Sequence, residues 1–150
     1  MPARFLPITR DEIGRVVGMM AQLYAHDGSR FDEARARRAT ETLLSEPEFG
    51  GVWSIEHEGA MAGYIVLVLG YSLEFGGRFG LLDELFVADN YRGLGLGALA
   101  IAFAGEECRA RGWQAIRLEV AQANLPAQSL YTRSGFEKHD RFPMTKWMEC

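Results

Sequence analysis

The stretch LLDELFVADNYRGLGLGALA, residues 81–100, decides how the rest of this chain is read. Leu81 to Val87 is apolar apart from Asp83 and Glu84, as in a strand buried on both faces. Ala88-Asp89-Asn90 supplies turn formers. Arg92, Gly93, Gly95 and Gly97 follow, and Ala98-Leu99-Ala100-Ile101 continues as a helix former. A strand that runs through a glycine-rich loop into a helix builds an anion cradle. The first N–H groups of such a helix lack partners, and its dipole favours negative charge. Glycine lets a phosphate approach the bare backbone. Arg92 adds a fixed positive charge at the mouth. The segment therefore reads as a diphosphate site, with a ligand-free strand-to-helix turn as the plainer alternative.

Other phosphate-binding loops fit less well. A dinucleotide site wants G-x-G-x-x-G early in a βαβ unit, with an acid about 20 residues on. Here the order is G-x-G-x-G, and only about fifty residues follow it. The Gly-Lys-Ser/Thr of a Walker loop is missing.

A second motif lies downstream. Asn124 and Tyr131 fall on one short helical stretch, NLPAQSLYTRSGF, two turns apart and on nearly the same face. Taken alone, Asn124 is equally well a helix N-cap and Tyr131 a core aromatic.

Together, Arg92-Gly93-Leu94-Gly95-Leu96-Gly97 and the stretch from Asn124 to Phe136 resemble the two signatures of the GNAT acetyltransferase superfamily. The first matches its R/Q-x-x-G-x-G/A loop, and LDELFV resembles the strand before it. The resemblance covers residues 79 to 148 well and the N-terminal half more loosely. It implies a mixed, mostly antiparallel sheet of six to seven strands with about four helices and central strands that splay apart. It also implies acetyl-CoA as co-substrate and no metal. Leu85, Phe86, Val87, Arg92, Gly93, Leu94, Gly95, Leu96, Gly97, Ala98 and Asn124 would contact the coenzyme. Tyr131 would stand beside the sulfur and protonate the departing thiolate. A phenol, with a pKa of about 10, holds a proton for this at neutral pH.

The acceptor amine arrives as an ammonium and must lose a proton before it attacks. Asp83, Glu84 and Glu119 are the candidate bases. Asp83 and Glu84 are neighbours on a strand, so alternation sends them to opposite faces. Each has a plainer reading as a carboxylate paired with an arginine or a backbone N–H. The resemblance to amine- and polyamine-acetylating branches rests on LDELFV; that to the protein N-terminal branch rests on LEV at residues 118–120. On the acceptor side, the loop after the first helix offers Tyr24, Asp27 and Phe31, with Tyr71 and Glu74 after the third strand. Aromatic faces beside carboxylates suit a cation.

Taken in order, the chain reads β-α-α-β-β-β-α-β-α-β-β. Ala3 to Ile8 is an edge strand, and Thr9 to Glu12 a capping box that opens the first helix. That helix carries Ile13, Val16, Val17 and Met20 on one face. The second helix starts near Asp32 and closes at Pro47. Strands follow at Val52 to His57, Met61 to Leu69 (with Tyr71 to Phe75 as an extension) and the central stretch. A helix over residues 95–111 stops at Gly112. Strands at Ala115 to Val120, Phe136 to His139 and Pro143 to Met148 complete the order.

The whole is an α/β chain, and its 150 residues suit a single domain over 1–150. A net charge of −4 argues against nucleic acid or an anionic membrane as partner and mildly favours a small cation. Cys108 and Cys150 show no ligand spacing and read as free thiols of a cytoplasmic protein. No signal pattern and no apolar run of about 18 residues is present. The resulting expectation is an N-acetyltransferase acting by direct attack on a small-molecule or peptide amine, with homodimerisation as the resemblance implies. The competing expectations are a coenzyme-A-binding regulator without turnover and, less favoured by spacing, a nicotinamide-dinucleotide binder.

Overall fold

Strand β4, Gly77–Val87, is the element on which the neighbouring parts of the chain pack. The computed structural model describes residues 3–148. The chain forms two compact units, one ending at Leu118 and one beginning at Glu119. In the first unit β1 (Arg4–Pro7), α1 (Ile13–Asp27), α2 (Glu33–Ser45), β2 (Gly50–His57), β3 (Ala60–Ser72), β4, α3 (Leu96–Ala110) and β5 (Ile116–Arg117) follow one another. In the second, α4 (Leu125–Arg133) is the one regular element among the described residues. The five strands form one sheet in the order β1-β2-β3-β4-β5. The first four are antiparallel, and β5 is parallel to β4.

Local signals set the helix ends. The Glu12 carboxylate accepts from the Thr9 N–H at 2.9 Å, the expected capping box. It closes a single 3-10 turn, Arg10–Glu12, from which α1 continues. The Asp32 carboxylate accepts from the Arg35 N–H at 3.1 Å and caps α2. Helix α1 buries Ile13, Val16, Val17 and Met20 against Val52, Tyr64, Val66 and Phe86 of the sheet. Helix α3 lies on β4 from the other side: a Cβ built on Gly80 would stand 2.6 Å from Cys108 Sγ.

One irregularity in β4 governs which of its residues meets which helix. Glu84 pairs with Val66, but Leu82 pairs with Leu67, leaving Asp83 as an extra residue. Without this bulge, Leu82 and Glu84 would share a face. With it, Leu82 shares the α3 side with Gly80, and Glu84 joins Val66, Tyr64 and Phe86 on the α1 side. The alternation expected of neighbours on a strand is thus interrupted at the two acids.

Several expectations need correction. The sheet has five strands, not six to seven. The expected strands at Phe136 to His139 and Pro143 to Met148 are irregular chain. Residues 137–148 are exposed throughout, so no apolar face fixes a register there, and Pro143 has no N–H to give a ladder. The strand expected over Ala115 to Val120 shrinks to Ile116–Arg117, which leaves Glu119 outside it. The extension over Tyr71 to Phe75 stops at Ser72, where the hairpin turns. Cys108 is buried and unbonded, while Cys150 lies outside the described residues.

Candidate active site

Glu84 is the centre of a small polar cluster inside the first unit. The Tyr64 hydroxyl donates to Glu84 Oε1 at 2.7 Å, and the Tyr24 hydroxyl donates to Oε2. Tyr64 comes from β3 and is fully buried; Tyr24 comes from the last turn of α1 and is half-buried. Burial pushes the Glu84 carboxyl above the usual carboxylate range. The two phenol donors pull it back, and the charges of Asp83 and Asp27 push it up again. Burial, and then the Glu84 carboxylate, raise both phenols well above their ordinary value, so they stay protonated donors. Tyr24 also meets Phe31 edge-on, with ring centres 5.5 Å apart. Asp27 is exposed at the end of the same helix.

Sequence reasoning named Tyr24, Asp27, Phe31, Asp83 and Glu84, and these gather here. It missed Tyr64. A signal existed: Tyr64 carries the one hydroxyl in the apolar run Met61 to Leu69, and a buried phenol needs a polar partner.

The glycine loop lies after β4. A 3-10 turn, Asp89–Tyr91, leads to Arg92, whose Nε donates to Val87 O at 3.1 Å and whose Nη1 stands 3.0 Å from Asp89 Oδ1. Gly93 and Gly95 have φ of 80° and 79°, in the left-handed region that favours glycine. Gly95 is the N-cap of α3 and has no side chain with which to cap it. The first hydrogen bond of that helix runs from the Leu99 N–H to Gly95 O. The N–H groups of Leu96, Gly97 and Ala98 therefore precede the ladder. No protein atom lies within 4 Å of a Cβ built on Gly93 or Gly95. Open space beside bare amides at a positive dipole end fits the diphosphate of acetyl-CoA. Leu94 is half-exposed at the tip of the loop, and Leu96 is buried beneath it.

Between the cluster and the loop, β4 has a free edge. The pairing with β5 covers only Gly80 with Ile116 and Leu81 with Arg117, while β4 runs on to Val87. The Ala88 N–H donates to Ala62 O at 2.8 Å. By antiparallel alternation Phe86 also turns its N–H and C=O toward β3, whereas Leu85 and Val87 turn theirs toward the edge that β5 leaves uncovered. Of these three expected coenzyme contacts, Leu85 and Val87 turn their main-chain groups to that edge and Phe86 turns its own to β3.

Two of the remaining candidates lie elsewhere in the first unit. Tyr71, 71% exposed, and Glu74 sit at the β3–β4 hairpin. Five residue steps along β3, about 17 Å, separate Tyr71 from Val66, the register partner of Glu84. Glu119 is exposed and begins the second unit. In that unit Asn124 is the N-cap of α4, its Oδ1 accepting from the Ala127 N–H at 3.2 Å. Tyr131 is half-buried on α4, with its ring edge-on to Phe136 at 5.8 Å. Among the described residues no cluster of His, Cys, Asp and Glu could hold a metal ion, and no helix is long and apolar enough to cross a membrane.

The fold recurs in solved structures. An integron cassette protein from the mobile metagenome of Cole Harbour Salt Marsh is 32% identical, with 97% of this chain and 91% of that one covered and a TM-score of 0.83. A possible acetyltransferase from Clostridium difficile 630 has a TM-score of 0.83 at 16% identity, with 99% and 98% covered. A predicted acetyltransferase with acetyl-CoA from Clostridium acetobutylicum has a TM-score of 0.80 at 14% identity, with 96% of each chain covered. Among curated protein sequences none matches. The model of the acetyltransferase (GNAT) family matches residues 17–136, from within α1 to the end of the Asn124–Phe136 motif. This chain belongs to the GNAT acetyltransferase family.

Proposed function

We propose that the protein transfers an acetyl group from acetyl-CoA to a primary amine of a small molecule or peptide by direct attack, with residues 1–150 acting as one catalytic domain. The observation that carries this reading is the sequence of features along β4. A half-buried carboxylate at Glu84 is followed by the N–H groups of Leu85 and Val87, turned away from β3, and then by the uncapped start of α3.

The residues divide the work as follows. The N–H groups of Leu96, Gly97 and Ala98, with the Gly93–Gly95 turn, hold the diphosphate. Acetyl-CoA supplies the activated acyl carbon. Glu84 takes the surplus proton of the acceptor ammonium, directly or through a water. Of the three candidate bases it is favoured because burial lifts its basicity, whereas Asp83 and Glu119 are exposed. Leu85 and Val87 turn their N–H groups to the side where charge on the carbonyl oxygen would develop. Tyr131 returns a proton to the leaving sulfur, and Asn124 meets the pantetheine arm. Tyr24 and Phe31 offer ring faces, and Asp27 and Asp83 negative charge, to a cationic acceptor.

The experiment is calorimetry with acetyl-CoA, followed by thiol release over a panel of amines. Binding together with release on at least one cationic amine is the expected result. No heat in folded protein removes the coenzyme from the account. Binding without release over a broad panel makes the chain a coenzyme-binding regulator.

A further inference from the structure

We propose that Tyr64, together with Tyr24, is a positioning residue that fixes the Glu84 carboxylate in one orientation, each phenol occupying one of its two oxygens. The mechanism above does not use Tyr64. The geometry explains why it is a tyrosine. Tyr64 is fully buried in β3 among Ile13, Val16, Val17 and Met20, where phenylalanine would fill the same space without a polar atom to satisfy. Its hydroxyl is retained there at 2.7 Å from Glu84 Oε1, a bond that spans β3 and β4 next to the bulge.

The two donors do different things because they come from different sides. Tyr64 reaches Glu84 from the buried side of the sheet. Tyr24 reaches the other oxygen from the half-exposed end of α1. With one lone pair on each oxygen engaged, the carboxylate cannot rotate, and its remaining lone pairs keep a constant direction. Both phenols also stabilise the ionised form against burial, so Glu84 can accept a proton at the start of each cycle. The groups facing it are Tyr24 and Asp27 from α1, Tyr64 from β3 and Asp83 from β4 itself. The kinetic half of this inference rests on Glu84 acting as the base; the orientation half does not.

The test separates the two. Glu84 is titrated through its side-chain carbonyl carbon by NMR in the wild-type protein and in Tyr64→Phe, with Glu84→Gln assigning the signal. The expected result is a Glu84 midpoint at higher pH in Tyr64→Phe, with acetyl-CoA affinity unchanged and the acid limb of kcat/KM moved upward with it. A Tyr64→Phe midpoint equal to wild type overturns the inference, whatever the kinetics. If the midpoint moves while Glu84→Gln keeps full turnover, the inference on Tyr64 stands and the assignment of Glu84 as base falls. Should Tyr64→Phe fail to fold, Tyr24→Phe is titrated instead: an upward shift supports the pair, and no shift overturns it.

Discussion

Arg92 is tied back to the strand it follows: its Nε donates to the carbonyl oxygen of Val87 at 3.1 Å. Its Nη1 is shared with Asp89 at 3.0 Å. The guanidinium therefore shapes the loop as well as charging it. Arg92→Ala should weaken acetyl-CoA binding by about tenfold, the lower end of what a charge-assisted bond contributes, since the side chain is half-exposed. The difference should shrink as salt is raised. Calorimetry at two ionic strengths measures both effects, and wild-type affinity at low salt would take Arg92 out of the cradle.

Gly95 has a φ of 79° and nothing within 4 Å of its missing Cβ. Gly95→Val thus costs about 1–2 kcal/mol of backbone strain and places a branched side chain where phosphate is expected. No binding heat should be seen with acetyl-CoA, while circular dichroism keeps its helical signal. Gly105→Ala, inside α3 with only Arg109 Nη1 at 3.7 Å, is the matched control. It should keep coenzyme affinity and raise Tm slightly, by the ordinary helix preference for alanine.

Tyr131→Phe should lower turnover by ~10²-fold or more, the scale of a lost general acid, with coenzyme affinity close to wild type. The ring contact with Phe136 survives that substitution, so a folding defect is not expected. An effect confined to coenzyme affinity would assign Tyr131 to binding instead.

As the proposed base, Glu84 would link catalysis and stability to pH in opposite senses. Its folded-state carboxyl is raised, chiefly by burial, so folding favours the protonated form. The stability this gives is present at acid pH and is lost as pH rises from about 4, the ordinary glutamate value, through the raised folded value. The Tm of the wild type minus that of Glu84→Gln should therefore fall across this window. The acid limb of kcat/KM should lie above the usual carboxylate range, because the base works ionised. A Tm difference that is flat or rises with pH would contradict the raised value.

Cys108 offers a check on the α3 side of the sheet. Burial, then the Glu107 charge, push its thiol up to about 11. At pH 8 only about one thiol in a thousand is ionised, and the thiolate is the reactive form. Iodoacetamide should label Cys108 slowly in native protein and rapidly after unfolding, read as modified peptide by mass spectrometry. Rapid native labelling would mean that α3 does not hold to β4 as described.

The parts of this fold that were legible in the sequence are those with a strong local cause. The face Ile13, Val16, Val17 and Met20 announced α1, and Gly95 followed by Leu96 to Ile101 announced the start of α3. Glu84 could be named from the two acids in an apolar strand. Its face could not be read by alternation, because the bulge at Asp83 has no local sequence mark. Tyr64 was hidden for a related reason: its role depends on β3 and β4 being in one register, a long-range fact. The last two expected strands failed because alternation alone fixes nothing when both faces are exposed, as at Phe142, Met144 and Trp147. That the Phe86 N–H turns toward β3 was equally hidden, because sequence does not say which amides a neighbouring strand consumes.

The extra residue at Asp83 makes β4 behave as two half-strands joined out of phase. Removing that one residue would make Leu82 and Glu84 neighbours on a regular ladder, with Leu82 still on the side lined by Cys108 and Glu84 still beside the phenols. Regular alternation that kept Asp83 in the ladder would instead put Leu82 and Glu84 on one face, so that one of them would leave the helix it now meets. The phase between the two half-strands is therefore a constraint on this segment, beyond its composition.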